Sequence, residues 1–164
     1  MTNIFYNTTR ITNSTSGQTK YWDIWMDSAN SDIFQISDGS RGQYLSHSSN
    51  GWFTQSDIRI KRDINPITTA LSDILKLNPV YYNYKNDSPD AKPNCGFIAQ
   101  ELQKHFPLCV LSVTYSEELK DNILGINSTE LIPYLVKSIQ EQQMQIESLK
   151  NDISDIKSKL QNLT

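Results

Sequence analysis

From Ile132 to the end of the chain, apolar residues recur on alternating steps of three and four. With Ile132 as position a, the a row is Ile132, Ile139, Ile146, Ile153 and Leu160, and the d row is Leu135, Gln142, Leu149, Ile156 and Leu163. A helix has 3.6 residues per turn, so an ordinary amphipathic surface helix drifts off a seven-residue period after a few turns. A row held this long is the pattern of a coiled coil. The terminal helix is therefore expected to self-associate. Ser128 or Thr129 is its expected cap, with Glu130 in the first turn facing the positive end of the dipole. Gln142 in the seam favours one register at some cost in stability, and Asp152 and Lys157 attract across a parallel g-to-e′ pair. Ile at a with Leu at d leans towards two strands, whereas Ile at both 153 and 156 leans towards three, so the heptads leave a homotrimer and a homodimer open.

Composition fits a chain that finishes its core against copies of itself. Only 37% of the 164 residues are hydrophobic, low for a compact globule. A net charge of −3, with no Lys/Arg block longer than two, excludes the basic footprint of a nucleic-acid binder. No apolar run approaches the roughly 18 residues of a membrane span, and Met1–Tyr6 lacks the basic and apolar regions of a secretion signal. Cys95 and Cys109 have no His or Cys near enough in sequence to complete a metal-ligand pattern. They are expected as reduced, partly buried thiols, and neither metal nor cofactor is expected.

The Thr/Asn/Ser-rich residues 1–20 read as loose, or ordered only in an assembly. Aromatic and β-branched alternation then gives strands at Lys20–Asp27, Asp32–Gly39, Gln43–Ser46 and Gly51–Thr54, with turns at Asp38-Gly39 and Asn50-Gly51. These form a small antiparallel β unit. Beyond Lys61 the texture changes. Ile67, Ala70, Leu71, Ile74, Leu75 and Leu77 have helical spacing, with Pro66 near the first turn and Asn78-Pro79 as the stop. Val80–Lys85 reads as a strand, 86–93 as a loop, and Gln100–Phe106 as a short helix ended by Pro107. Cys109–Val113 and Asn122–Ile126 are strands joined by a polar segment. The expected fold is α+β and an intertwined oligomer. A β-structured passenger spans 1–55, a mixed α/β domain 56–127, and an oligomerisation helix 128–164.

At the junction stands Ser56-Asp57-Ile58-Arg59-Ile60-Lys61. A serine cleaves a peptide only if something takes its proton, and a lysine does so once neutral. At a reference pKa of about 10.4, a lysine is neutral in roughly one molecule in 2,500 at pH 7, so burial or a second cation must help. In an extended segment residues five apart face opposite ways, so the chain must turn for Ser56 and Lys61 to meet. Asp57 is a possible orienting group or a plain turn cap. Arg59 and Arg62 either repel the lysine, or are solvent-exposed or paired with Asp57 or Asp63. His105 and His47 are read as structural, Gln100 and Glu101 as packing or interchain residues, and Tyr81, Tyr82 and Tyr84 as core and interface.

One ordered set of short motifs carries a resemblance: Ser56-Asp57-x-x-x-Lys61-x-x-Ile64, Leu77-x-Pro79-Val80-x-Tyr82-x-Tyr84, Gly96-Phe97-Ile98-Ala99-Gln100-Glu101, Pro107, and Ile126-x-x-x-x-Leu131-Ile132-Pro133-x-Leu135 before a long helix. From Ser56 to Ser148 the chain resembles the self-cleaving intramolecular chaperone domain of phage endosialidases, tail spikes and tail fibres, a relative of which occurs in some membrane-bound transcription factors. The resemblance implies a domain that drives trimerisation of the segment ahead of it and then cuts itself free. Carried over residue by residue, the scissile bond is Gln55–Ser56, Ser56 is the nucleophile and Lys61 the base. It also implies a virion fibre or spike component, assembled in the host cytoplasm, as a homotrimer. Two other readings are a non-cleaving trimerisation module and an unrelated coiled-coil protein. Nothing in the residues names the receptor of the attached fibre.

Overall fold

The computed structural model describes residues 9–13, 20–27, 33–37, 42–46 and 51–162. Packing divides the chain into two units, Met1–Ile64 and Asn65–Thr164.

The first unit holds a five-stranded antiparallel meander, ordered β1-β2-β3-β4-β5. Its strands are β1 Thr9–Asn13, β2 Lys20–Asp27, β3 Ile33–Ser37, β4 Gly42–Ser46 and β5 Trp52–Thr54. Four match the alternation in the sequence. Within residues 1–20, expected as loose or ordered only in an assembly, β1 places Thr9–Asn13 in the sheet, while 1–8 and 14–19 lie outside the described residues. Arg10 lies directly opposite Asp23 in the β1–β2 register and donates from Nε and a terminal nitrogen to its two carboxylate oxygens at 2.7 and 2.8 Å. Asp23 is buried, and the Arg10 guanidinium holds its carboxyl below the usual carboxylate range. At the start of β4, a Cβ on Gly42 would stand 2.8 Å from the Ile36 carbonyl oxygen, so the close approach of β3 requires glycine there. The expected turns at Asp38-Gly39 and Asn50, and His47, lie outside the described residues.

The second unit is α+β, with two antiparallel hairpins. β6 Val80–Tyr82 pairs with β7 Asn94–Gly96, and β8 Val110–Ser116 with β9 Asp121–Ile126. Its helices are α1 Leu71–Ile74, α2 Ala99–Leu102 and α3 Ile132–Gln161. The core joins residues from four elements: Leu102 on α2, Cys109 at the end of the 3₁₀ turn Pro107–Cys109 that Phe106 caps, Val110 at the start of β8, and Leu131 at the entry to α3. Ile74, Leu77, Phe97, Leu124, Ile126 and Tyr134 pack around it, with the rings of Phe106 and Tyr134 4.7 Å apart. So small a core gives a marginal unit.

α1 is shorter than the periodicity suggested, and Pro66 precedes it instead of sitting in its first turn. The helix starts where it can be capped. Ala70 offers no side-chain cap, and the Glu141 carboxylate of α3 accepts from the Ala70 and Leu71 amides at 2.9 and 3.1 Å. The cap ahead of α3 is Asn127, not Ser128 or Thr129. Its side chain accepts from the Thr129 amide at 3.2 Å and opens a 3₁₀ turn, Ser128–Leu131, that leads into the helix. Both cysteines are free, but only Cys109 is buried; Cys95 is exposed.

α3 presents two rows. Leu131 and Ser138 are buried, Tyr134 and Glu141 are half-buried, and the buried Ser138 hydroxyl is satisfied by the Tyr134 carbonyl at 2.8 Å. The heptad row is exposed throughout its described length, from Ile132 through Ile139, at 64% exposure, to Leu160. Beyond Glu141 every described residue of the helix is exposed. Among the described residues no helix is long and apolar enough to cross a membrane.

Candidate active site

Ser56 follows β5 on an extended stretch, and a single 3₁₀ turn, Ile58–Ile60, follows it. The turn closes through Ile60 N–H to the Asp57 carbonyl at 3.2 Å and Lys61 N–H to the Ile58 carbonyl at 3.1 Å. That reversal is what the spacing required. Lys61 Nζ donates to Ser56 Oγ at 2.7 Å, within range for proton transfer in either direction. Both side chains are exposed.

Asp57 is the N-cap of this turn. Its Oδ1 accepts from the Arg59 amide at 2.8 Å and from Arg59 Nε at 3.0 Å, and its Oδ2 accepts from a terminal guanidinium nitrogen at 2.6 Å. The carboxyl is held below the usual carboxylate range by the Arg59 side chain first and the Arg59 amide second. Arg62 pairs with Asp63 at 3.5 Å. Of the two roles open to the arginines, ion pairing is the one found. The double hold of Arg59 on Asp57 depends on the turn, which the Asp-x-Arg spacing alone does not reveal.

The other candidates lie in the second unit. His105 Nδ1 stands 3.3 Å from Asp73 Oδ1, which also accepts from Lys76 Nζ at 2.9 Å. The Asp73 carboxyl is held low by Lys76 first, then His105. This ties α1 to the residues after α2 and agrees with a structural histidine. Gln100 and Glu101 are exposed on α2. Tyr82 is half-buried and meets Tyr84 edge-on at 5.4 Å, but Tyr84 is exposed and Tyr81 is 81% exposed, so these two are not core within one chain. Among the described residues no group of His, Cys, Asp and Glu is placed to hold a metal.

Residues 56–111 match the model of a peptidase family described as the chaperone of endosialidase. The long tail fibre protein Gp37 of Enterobacteria phage K3 is 28% identical over 127 residues, which is 76% of this chain and 10% of the fibre protein. The corresponding protein of Enterobacteria phage T2 is 28% identical over 124 residues, 74% of this chain and 9% of its own length. Myelin gene regulatory factor-like A of Dictyostelium discoideum is 28% identical over 131 residues, covering 71% of this chain and 14% of that protein. The chain thus spans about a tenth of the two tail fibre proteins. The ordered motifs and the family match fall on the same residues, and together with the tail fibre relatives they support a phage tail fibre chaperone domain.

Proposed function

We propose that this chain is an intramolecular chaperone that trimerises a phage fibre or spike segment ahead of it and then releases itself by cutting between Gln55 and Ser56. The observation that carries the reading is the 2.7 Å contact between Lys61 Nζ and Ser56 Oγ. The family match beginning at Ser56 also supports it. Neutral Lys61 takes the proton of Ser56 Oγ as the oxygen attacks the Gln55 carbonyl carbon. Lys61 passes that proton to the departing Ser56 nitrogen as the peptide bond breaks, leaving Gln55 as an ester on Oγ. Water hydrolyses the ester, giving a carboxylate on Gln55 and restoring the Ser56 hydroxyl. Because nucleophile and carbonyl share the chain, tethering supplies the effective concentration, and the reaction is a single turnover in cis.

Assembly is the switch in this reading. In one chain the pair is exposed, and water favours a charged lysine. The exposed heptad row drives assembly of three copies, and burial of Lys61 on assembly activates the base. In this reading the fibre is a virion component, and the product starting at Ser56 leaves once the trimer is made.

Intact-mass measurement alongside sedimentation tests both halves. The expected result is a trimer whose chains are split into 1–55 and 56–164. A wild-type trimer that stays whole would leave a non-cleaving trimerisation module, and a monomer would remove both.

A further inference from the structure

The Ser56–Asp63 segment contains two carboxylates, two arginines and one lysine. Arg59 holds Asp57 and Arg62 lies against Asp63, while the lysine is directed to the serine hydroxyl. We propose that Arg59 is a positioning residue for the cleavage: it engages both oxygens of Asp57, keeps that carboxylate on the turn and off the Lys61 amine, and so lets Lys61 act on Ser56 at neutral pH. This rests on the reading of Ser56 and Lys61 as nucleophile and base.

The argument is one of charge placement. An anion within about 4–6 Å of an ammonium favours its protonated form by roughly one to three pKa units. Each unit removes about nine-tenths of the neutral amine available to a base. Asp57 adjoins Ser56 and begins the very turn that returns Lys61 to it, so a carboxylate freed at Asp57 would compete with the serine for the lysine. Arg59 prevents this with two side-chain bonds while its own amide donates the capping bond to Asp57 Oδ1, which anchors the carboxylate from two directions. A planar guanidinium matches a carboxylate in this forked geometry, and a lysine at 59 would make a single contact. Arg62 and Asp63, the remaining charges of the segment, are both well exposed and lie 3.5 Å apart, so they add little net field at Lys61.

The test is the pH profile of cleavage in the full chain, followed by fragment appearance after dilution from denaturant. Sedimentation confirms that each variant assembles. For Arg59→Gln, the rising alkaline limb is expected to move about one unit upward, slowing neutral-pH cleavage about tenfold while the alkaline plateau is kept. Arg59→Lys falls between it and wild type. Asp57→Asn retains a good capping side chain and leaves the Arg59 charge unpaired near the lysine, so its limb moves to lower pH. The double variant Asp57→Asn with Arg59→Gln returns the limb towards wild type. A rate lowered by one factor at every pH in Arg59→Gln, or an unmoved limb, overturns the proposal. If Arg59→Gln fails to assemble, Asp57→Asn decides: a lower limb supports the proposal, and an unchanged or uniformly slowed profile overturns it. Lys61→Ala separates the two levels. If it cleaves like wild type the base assignment itself fails, whereas an inert Lys61→Ala with an unmoved Arg59→Gln limb removes only the role of Arg59.

Discussion

Ser56 and Lys61 meet through a turn of their own segment, five residues apart, and both remain in water. Leu102, Phe106, Cys109, Val110 and Leu131 meet because a helix, a proline-led turn, a hairpin and the entry to α3 converge, and water is excluded from them. The first arrangement needs no distant contact to form, but it lacks the dry surroundings that would leave its amine neutral and able to take a proton. The second is dry but carries no pair of groups placed for the chemistry. A self-cleaving chaperone of the proposed kind needs both properties at one place, and the exposed heptad row of α3 is the means by which copies would supply the missing one.

The sharpest break in that contrast comes at the local site. Ser56→Ala and Lys61→Ala should each abolish cleavage after Gln55 yet still assemble, as trimers of the whole chain, because both side chains are exposed and pack in no core. Intact mass and sedimentation read the two outcomes separately. Cleavage of either variant at the wild-type rate would detach the chemistry from this turn.

The helix row is the next place to press. Ile139 and Ile146 are a positions at 64% and 46% exposure in the single chain. Ile139→Asp with Ile146→Asp costs a lone chain little but places like charges in an apolar seam, so it should dissociate the oligomer. If dehydration on assembly activates the base, cleavage falls with it. A dissociated chain that still cleaves at full rate would show the turn to be sufficient alone.

What could be read in advance follows the same division. The Ser–Lys spacing, the order of the short motifs and the heptads are local or periodic, and they lie on the surface of the sequence. β1 was not legible, because its Thr- and Asn-rich run is held by pairing with β2 and by Arg10 against Asp23, thirteen residues away. The start of α1 was misread because apolar spacing says nothing about where a cap will come from. Asn127 displaced Ser128 and Thr129 as cap because a 3₁₀ turn precedes α3. The hold of Arg59 on Asp57 was visible only as one of two options, since choosing between them needed the turn.

The distributed core should respond by degree instead of all or nothing. Phe106 is 3% exposed and meets the Tyr134 ring at a tilt of 57°. Phe106→Ala should destabilise the second unit by about 3–5 kcal/mol. Denaturant unfolding of a Ser56→Ala background, in which the chain stays whole, measures this without interference from cleavage. A loss under about 1 kcal/mol would mean that contacts between copies, not this cluster, carry the stability of the unit.

Glu141 offers the smallest and most selective test, because it belongs to both kinds of construction. It sits on α3, in the row turned to its own chain, yet it works through two local bonds at the start of α1, 71 and 70 residues earlier. Glu141→Ala leaves the Ala70 and Leu71 amides without that acceptor and should cost about 1 kcal/mol, the usual value of a lost cap. Glu141→Gln keeps one carbonyl acceptor and should recover part of it. Glu141 lies off the a and d positions, so neither variant should change oligomer size. Amide exchange localises the effect, which should appear first at Ala70 and Leu71 while the heptad segment beyond Glu141 stays as protected as in wild type. Loss of protection along the whole helix would instead mean that docking of its first turns and formation of the seam are one cooperative event.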